Sequence, residues 1–391
     1  MFRCPECDFL HQTVVEKCQN CEYIVEIEEI HSQFFTAISA VTAQLEREQS
    51  GNLAFKIGRL WNLKNEVSHD FILKVESKFR NKNKFHNFLT KDTLPNSIPT
   101  ILNKYIKDSL KFKDLVKFIL GKIKIEVGSD KRKLTGASDN NIIFIHYKVS
   151  NENDDFGRLL IVMVDKKGAF DFEKVALTPK KLSPIDTEAL RQAALFDLTL
   201  FDASYPENNG ESYVRFIQGK SKSDFFKDAL GCRKDVDNNR SINNLFTAIL
   251  DFSNQVSLPI PLRDKIEEAV KDFIEKKSKD KNNKSISLQD IQNKVDKCLP
   301  EKHPALGKFS KFVNTHEYEI DEVFEPTRFS AKNATSIELS DKSKNFTCKV
   351  RKTAIGSEHS TKPIKLDKEN RCLLLPLTDE DFLELEKFVR D

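Results

Sequence analysis

The sequence predicts an α+β protein, with helical and strand segments grouped rather than strictly alternating. Three observations predict it. Cysteine pairs at metal-ligand spacing open the chain. Apolar runs of strand composition occupy the middle. Apolar stripes at spacings of three and four, backed by charge, occupy most of the rest. The expected order is a Cys4 zinc knuckle over residues 1–29, a helical, Lys-rich region over 30–135 and a mixed α/β sheet domain over 136–220. A helical region over 221–316 and a small β-rich part with a terminal helix over 317–391 complete it.

Composition bounds the class. The 391 residues allow two or three domains, and 39% hydrophobic residues suffice for a core. Apolar runs such as Leu159 to Val164 are far shorter than the roughly 20 residues that cross a bilayer. The opening Met-Phe-Arg-Cys-Pro-Glu-Cys has no hydrophobic segment of a secretory signal, so a soluble cytosolic protein is expected. Net charge is only +3, but it is segregated. Residues 1–30 carry two basic and seven acidic side chains, 73–133 carry 16 and six, and 377–391 carry two and six. Fields of this kind select partners.

Cys4, Cys7, Cys18 and Cys21 form two C-x2-C pairs separated by ten residues. Each pair presents two thiolates to one point, the geometry of a tetrahedral zinc site. A disulfide reading is disfavoured because cytosolic thiols stay reduced. Four thiolates leave no open coordination position, so the zinc is expected to be structural, with His11 a bystander in preference to a substitute ligand. The acidic surroundings favour a protein as the knuckle's partner.

Past the knuckle, Ile30, Phe34, Ile38, Val41 and Leu45 recur at spacings of four and three and predict a helix. Residues 53–94 read as further helix, and Ser97-Ile98-Pro99 starts a helix running to Gly121. Ile142 to Tyr147, Leu159 to Val164, Ala169 to Lys174, Leu195 to Phe201 and Tyr213 to Ile217 read as strands. Leu182-Ser183-Pro184 opens a crossing helix between them. Ser221 and Asp224 cap a short helix closed by Gly231. Amphipathic helices follow near 238–256 and 262–278, then one capped by Ser287 and Asp290, then one over 303–316. Short strands near 335–340, 346–351, 361–366 and 371–375 precede an acidic helix from Asp379.

Several local patterns come in a recognisable order. They are Ile142-Ile143-Phe144-Ile145-His146-Tyr147, Phe196-Asp197-Leu198, Tyr213-Val214-Arg215-Phe216-Ile217-Gln218-Gly219-Lys220, Leu230-Gly231-Cys232 and Lys308-Phe309-Ser310-Lys311-Phe312. Over roughly residues 140–391 the chain resembles the bacterial nucleoid-associated protein family of the NdpA type. The resemblance implies a non-enzymatic, DNA-associated protein of the cytoplasm and nucleoid. The cysteine knuckle and the Lys-rich region look like a module added to that pattern. A role in defence or on a mobile element is one setting for such an addition.

Binding to double-stranded DNA through phosphates requires cations gathered on one surface. One candidate cluster is Lys104, Lys107 and Lys111, spaced for one helix face, continuing to Lys131, Arg132 and Lys133. The other is Arg215, Lys220, Lys222, Lys227, Arg233, Lys234 and Arg240, which is favoured because the family resemblance is strongest there. No base-reading motif accompanies either. A homodimer is expected because bivalency strengthens weak contacts. A protein partner is expected at the knuckle or the helix after it.

The competing reading is a metal-dependent nuclease built on Asp155, Asp165 and Lys167, since paired acids with a lysine hold Mg2+ against a phosphate. Asp165-Lys166-Lys167-Gly168 is also an ordinary turn. A third reading is a protein-binding adaptor with incidental DNA affinity.

Overall fold

A computed structural model describes residues 2–3, 10–11, 35–48, 53–128, 141–149, 154–166, 169–172, 179–182, 185–218, 225–233, 236–327, 329–340, 343 and 345–389. The chain forms two compact units. The first takes Met1–Asp237 and Ser310–Glu322, and the second takes Asn238–Phe309 and Val323–Asp391.

The first unit opens with strands β1 (Phe2–Arg3) and β2 (Leu10–His11), paired antiparallel. The four knuckle cysteines lie outside the described residues. Its body contains β3 (Phe35–Arg47), β4 (Leu53–Ile57), helix α1 (Glu66–Arg80) and β5 (Phe85–Asn87). Helices α2 (Ile98–Ile106) and α3 (Phe112–Gly128) follow, then β6 (Asn141–Val149) and β7 (Arg158–Lys166). A small hairpin of β8 (Ala169–Phe172) and β9 (Pro179–Leu182) leads to β10 (Ile185–Asp197). The chain continues through α4 (Leu198–Ser204), β11 (Val214–Ile217) and α5 (Phe225–Ala229).

Seven of these strands form one antiparallel sheet in the order β4-β3-β6-β7-β10-β11-β5. Both faces are covered, which explains the near-continuous apolar runs. Val41, Ala43, Ile142, Phe144, Leu159, Ile161, Ala194, Phe196, Val214 and Phe216 share a core with α2, α3, α4 and α5. Their strand neighbours Ile143, Ile145, Leu160, Val162, Ala193, Leu195 and Ile217 pack with Ile72, Val75 and Phe79 of α1. Gly157 makes the turn into β7 at a φ of +73°, where an added Cβ would lie 2.5 Å from the Tyr147 carbonyl oxygen.

From Phe35 onward the expected helix over 30–45 is instead β3, so among the described residues of that span no helix stands to recruit a partner. Val41, Ala43 and Leu45 alternate into the core, and a register shift between Ala37 and Ser39 leaves Ile38 38% exposed. That irregularity gave a strand an apparent helical spacing. Residues 53–94 likewise hold two strands beside α1. The boundary expected near residue 135 falls inside the single sheet. The helix expected at 182–184 is replaced by β9 and β10. The strand expected through Phe201 stops at Asp197, whose carboxylate caps α4 by accepting from the Leu200 N–H at 3.0 Å.

The second unit is built on α6 (Asn238–Gln255), α7 (Ile260–Lys279) and α8 (Leu288–Cys298), as their periodicity predicts. Strand β12 (Ile286–Ser287) leads into α8, where Ser287 and Asp290 complete the expected capping box. Helix α9 (Phe309–Thr315) begins the return to the first unit. After β13 (Val323–Phe324), paired with β12, and α10 (Ser330–Ala334) comes the hairpin β14 (Ser336–Ser340) with β15 (Thr347–Arg351). Strands β16 (Ile355–Ser357), β17 (Ile364–Asp367) and β18 (Cys372–Leu374) form a small sheet before α11 (Asp379–Glu386). Among the described residues, no helix is long and apolar enough to cross a membrane.

Candidate nucleic-acid interface

Helices α2 and α3 carry the first lysine cluster. Ser97 caps α2 by accepting from the Thr100 N–H at 3.3 Å, and Pro99 fits the first turn. Ile98, Ile101 and Leu102 are buried, whereas Lys104 and Lys107 are exposed. The helix expected to continue to Gly121 breaks at Asp108, which adopts a φ of 54°. Lys111 therefore stands in the connection, not on the face shared by Lys104 and Lys107. Helix α3 then runs past Gly121 to Gly128.

The apolar stripe of α3, with Leu115, Val116, Ile119, Leu120 and Ile123, packs into the core. On its solvent side Lys113, Lys117 and Lys124 fall within an arc of about 40° at 3.6 residues per turn. All three are exposed. The Lys122 ammonium lies 5.5 Å from the centre of the Phe118 ring. Among the described residues, no ion pair engages Lys104, Lys107, Lys111, Lys113, Lys117 or Lys124. Residues 98–128 hold seven lysines and three acidic residues, a net of +4. Lys131, Arg132 and Lys133 lie outside the described residues.

The favoured second cluster is described only in part, and Arg215 drops out of it. Arg215 is 7% exposed and is bound to Glu317, so it is withdrawn from phosphate contact. Alternation along β11 turns Arg215 towards α1, because Val214 and Phe216 occupy the opposite core. Lys227 and Arg233 are half-buried, and Arg240 lies in α6 of the other unit. Lys220, Lys222 and Lys234 lie outside the described residues.

Around Arg215 is a partly buried ionic group that sequence reasoning missed. The Arg215 and Arg158 Nη1 atoms donate to Glu317 Oε1 at 2.9 and 3.2 Å. Arg158 Nε also lies 3.4 Å from Asp197 Oδ2. Burial alone would raise the Glu317 pKa, but Arg215, Arg158 and Lys84 hold it well below the usual carboxylate range. Lys84 Nζ donates to the Arg80 and Lys82 carbonyls at 2.6 and 2.8 Å, closing the end of α1. Burial, followed by the charge of Arg215, pulls that amine down to about 7. The Asp321 carboxylate accepts from the His86 N–H at 2.7 Å, and Glu319 accepts from Ser212. No neighbouring residue in sequence signals these pairs.

The expected nuclease residues do not converge. Asp155 precedes β7 and Asp165 stands near its far end. At about 3.3 Å per residue, the strand alone separates Arg158 from Asp165 by roughly 23 Å. One metal cannot bridge Asp155 and Asp165 across that distance, and Lys167 lies outside the described residues. The neighbouring Asp154 carboxylate accepts from the Val149 N–H at 2.7 Å. His146 is a satisfied core side chain, with Nδ1 2.6 Å from the Tyr105 hydroxyl and Nε2 2.8 Å from the Phe156 carbonyl oxygen. Among the described residues, no group of three His, Cys, Asp or Glu side chains is arranged to hold a metal.

A family model described as nucleoid-associated protein YejK matches residues 42–375. Curated relatives from Shewanella pealeana and Shewanella denitrificans, each named nucleoid-associated protein, are 25% identical to the chain over 140 residues. That alignment covers 36% of this chain and 39% of each relative, so it spans about two fifths of their length.

Proposed function

We propose, from the premise that this chain belongs to the nucleoid-associated protein YejK family, that it binds duplex DNA through phosphate contacts made by the lysine face of α2 and α3. The observation that carries this reading is the stripe of Lys113, Lys117 and Lys124. These cations are exposed, unengaged by described acids, and held in register by a helix whose other side is core. Such a surface recognises charge density without reading bases, so affinity should be tolerant of sequence and steep in salt. The chain acts as a binder rather than a nuclease in this reading. Its zinc knuckle, held by Cys4, Cys7, Cys18 and Cys21, recruits a protein partner to the nucleoid.

The test is fluorescence anisotropy with a short duplex across a salt series, comparing the chain with Lys113→Glu/Lys117→Glu/Lys124→Glu. Loss of three phosphate contacts should flatten the log–log salt slope by roughly 2.7, at about 0.9 per contact. Unchanged affinity and slope at every salt concentration would remove the α3 stripe from DNA contact. Supercoiled plasmid with Mg2+ or Mn2+ separates the alternatives. Retardation without nicking supports the binder, nicking supports a nuclease, and no retardation at low salt supports an adaptor.

A further inference from the structure

Helix α11 and the turn after it have no residue in the core. Phe382, Leu383 and Leu385 are 55%, 58% and 51% exposed, and Phe388 and Val389 are 75% and 73% exposed. Phe382, Leu385 and Val389 follow the i, i+3, i+7 spacing of one apolar stripe. Residues 379–389 carry five acidic side chains and one lysine, a net of −4. An acidic surface with this much exposed apolar area fits an apolar site ringed by cations.

The first unit contains such a site on α3. A groove of about 580 Å3 is walled by Phe55, Phe118 and Ile125, floored at Gly121, and rimmed by Lys117 and Lys122, with Asp114 the one acid in its lining. That volume lies within the range of ordinary binding pockets. Ile125 is 72% exposed, and a Cβ placed at Gly121 would meet nothing within 4 Å. The net charge of +4 over residues 98–128 opposes the −4 of residues 379–389. Pairing α11 with another α11 would set like charges together. The groove of the second unit sets Arg263, Lys352 and Lys362 against Asp264 and Glu267, with Lys362 already bound to Asp264, so its cations are partly spent within its own wall.

We propose that α11 of a second copy of this chain docks in the Phe118–Ile125 groove, and that in doing so it competes with DNA for the lysines of α3. The competition rests on the phosphate-binding reading above, whereas the docking stands on shape and charge alone. Exchange in both directions closes a two-fold dimer.

Sedimentation velocity of the full chain, run between about 50 and 200 mM salt, reads the association. Phe382→Ser/Leu385→Ser should weaken it at least tenfold, and Ile125→Glu should do the same. All three positions are exposed, and an unchanged melting temperature confirms folding. Lys117→Glu should also weaken association, and adding Glu386→Lys should restore part of it. In parallel anisotropy measurements, Phe382→Ser/Leu385→Ser should bind duplex several-fold more tightly at low salt. A chain that stays monomeric, or an association indifferent to both the α11 and the groove substitutions, overturns the proposal. A monomer whose duplex affinity still rises on Phe382→Ser/Leu385→Ser overturns the second-copy assignment in favour of the chain's own helix. Association that responds as expected, with no variant binding duplex, sinks the phosphate reading and leaves the docking in place.

Discussion

Arg215 Nη1 donates to Glu317 Oε1 at 2.9 Å across a separation of 102 residues. The bond fastens the Ser310–Glu322 segment, which returns to the first unit after residues 238–309, onto β11 of the sheet. Glu319 and Asp321 extend the attachment at alternate positions through Ser212 and His86. Glu317 itself stands in the turn that ends α9, at a φ of 55°, and the irregular segment after it brings Glu319 and Asp321 to the same edge of the sheet.

Glu317→Gln should destabilise the first unit by about 2 kcal/mol at neutral pH. That figure lies between the 0–1 kcal/mol of exposed pairs and the 3–5 kcal/mol lost when a fully buried pair is broken. The Glu317 side chain is 30% exposed, which places it between those limits. The sign with pH follows from its depressed pKa. The folded state binds fewer protons than the unfolded state below the ordinary glutamate value near 4.3. The contribution is therefore fully present above that value and lost as pH falls. Urea midpoints should drop more steeply for the parent chain than for Glu317→Gln below about pH 4.5. Parallel acid profiles would show that Glu317 is not held ionised.

Lys84 titrates in the opposite window. Burial first, then Arg215, draws its amine from 10.5 to about 7. Between those values the unfolded chain holds a proton that the folded chain releases, so stability rises with pH. Above about 9 the unfolded chain begins to lose thiol protons, while burial pushes the Cys232 thiol up to about 12 and opposes further gain. The rise should be visible from pH 7 to about 9 and absent in Lys84→Met. Midpoints in urea measured at those pH values decide it, and equal slopes in the two proteins would refute the depressed amine.

Strands β6, β7 and β11 and helices α6, α7 and α8 were legible because each keeps one period over its length. Strand β3 was not, since Ile38, Val41 and Leu45 satisfy a helical spacing that arises only from the irregularity at Ala37 to Ser39. Lys104, Lys107 and Lys111 could be read as cations near one another, but the break at Asp108 is a backbone event with no apolar signature. Arg215 was misassigned for a different reason. A charged residue between Val214 and Phe216 reads as the solvent side of a strand, and only the covering of the second face by α1 and Glu317 buries it. The ionic group of Arg158, Arg215 and Glu317 depends on partners 102 and 159 residues apart, a distance over which local pattern carries no information.

The knuckle reading makes a prediction independent of the lysines. Cys4, Cys7, Cys18 and Cys21 supply four thiolates, enough to complete a tetrahedral zinc shell. A segment of about 30 residues is too short to fold on a core of its own. On the knuckle reading, metal binding supplies the folding free energy of residues 1–29. One zinc per chain should be found by elemental analysis, and Cys7→Ser/Cys21→Ser should lose it. Chelation should open residues 1–29 to proteolysis while leaving the main melting transition in place, because the described cores of the sheet are closed by the apolar faces of its own strands and helices. Zinc content that survives the double substitution would assign the metal to other ligands and leave the knuckle without a fold of its own.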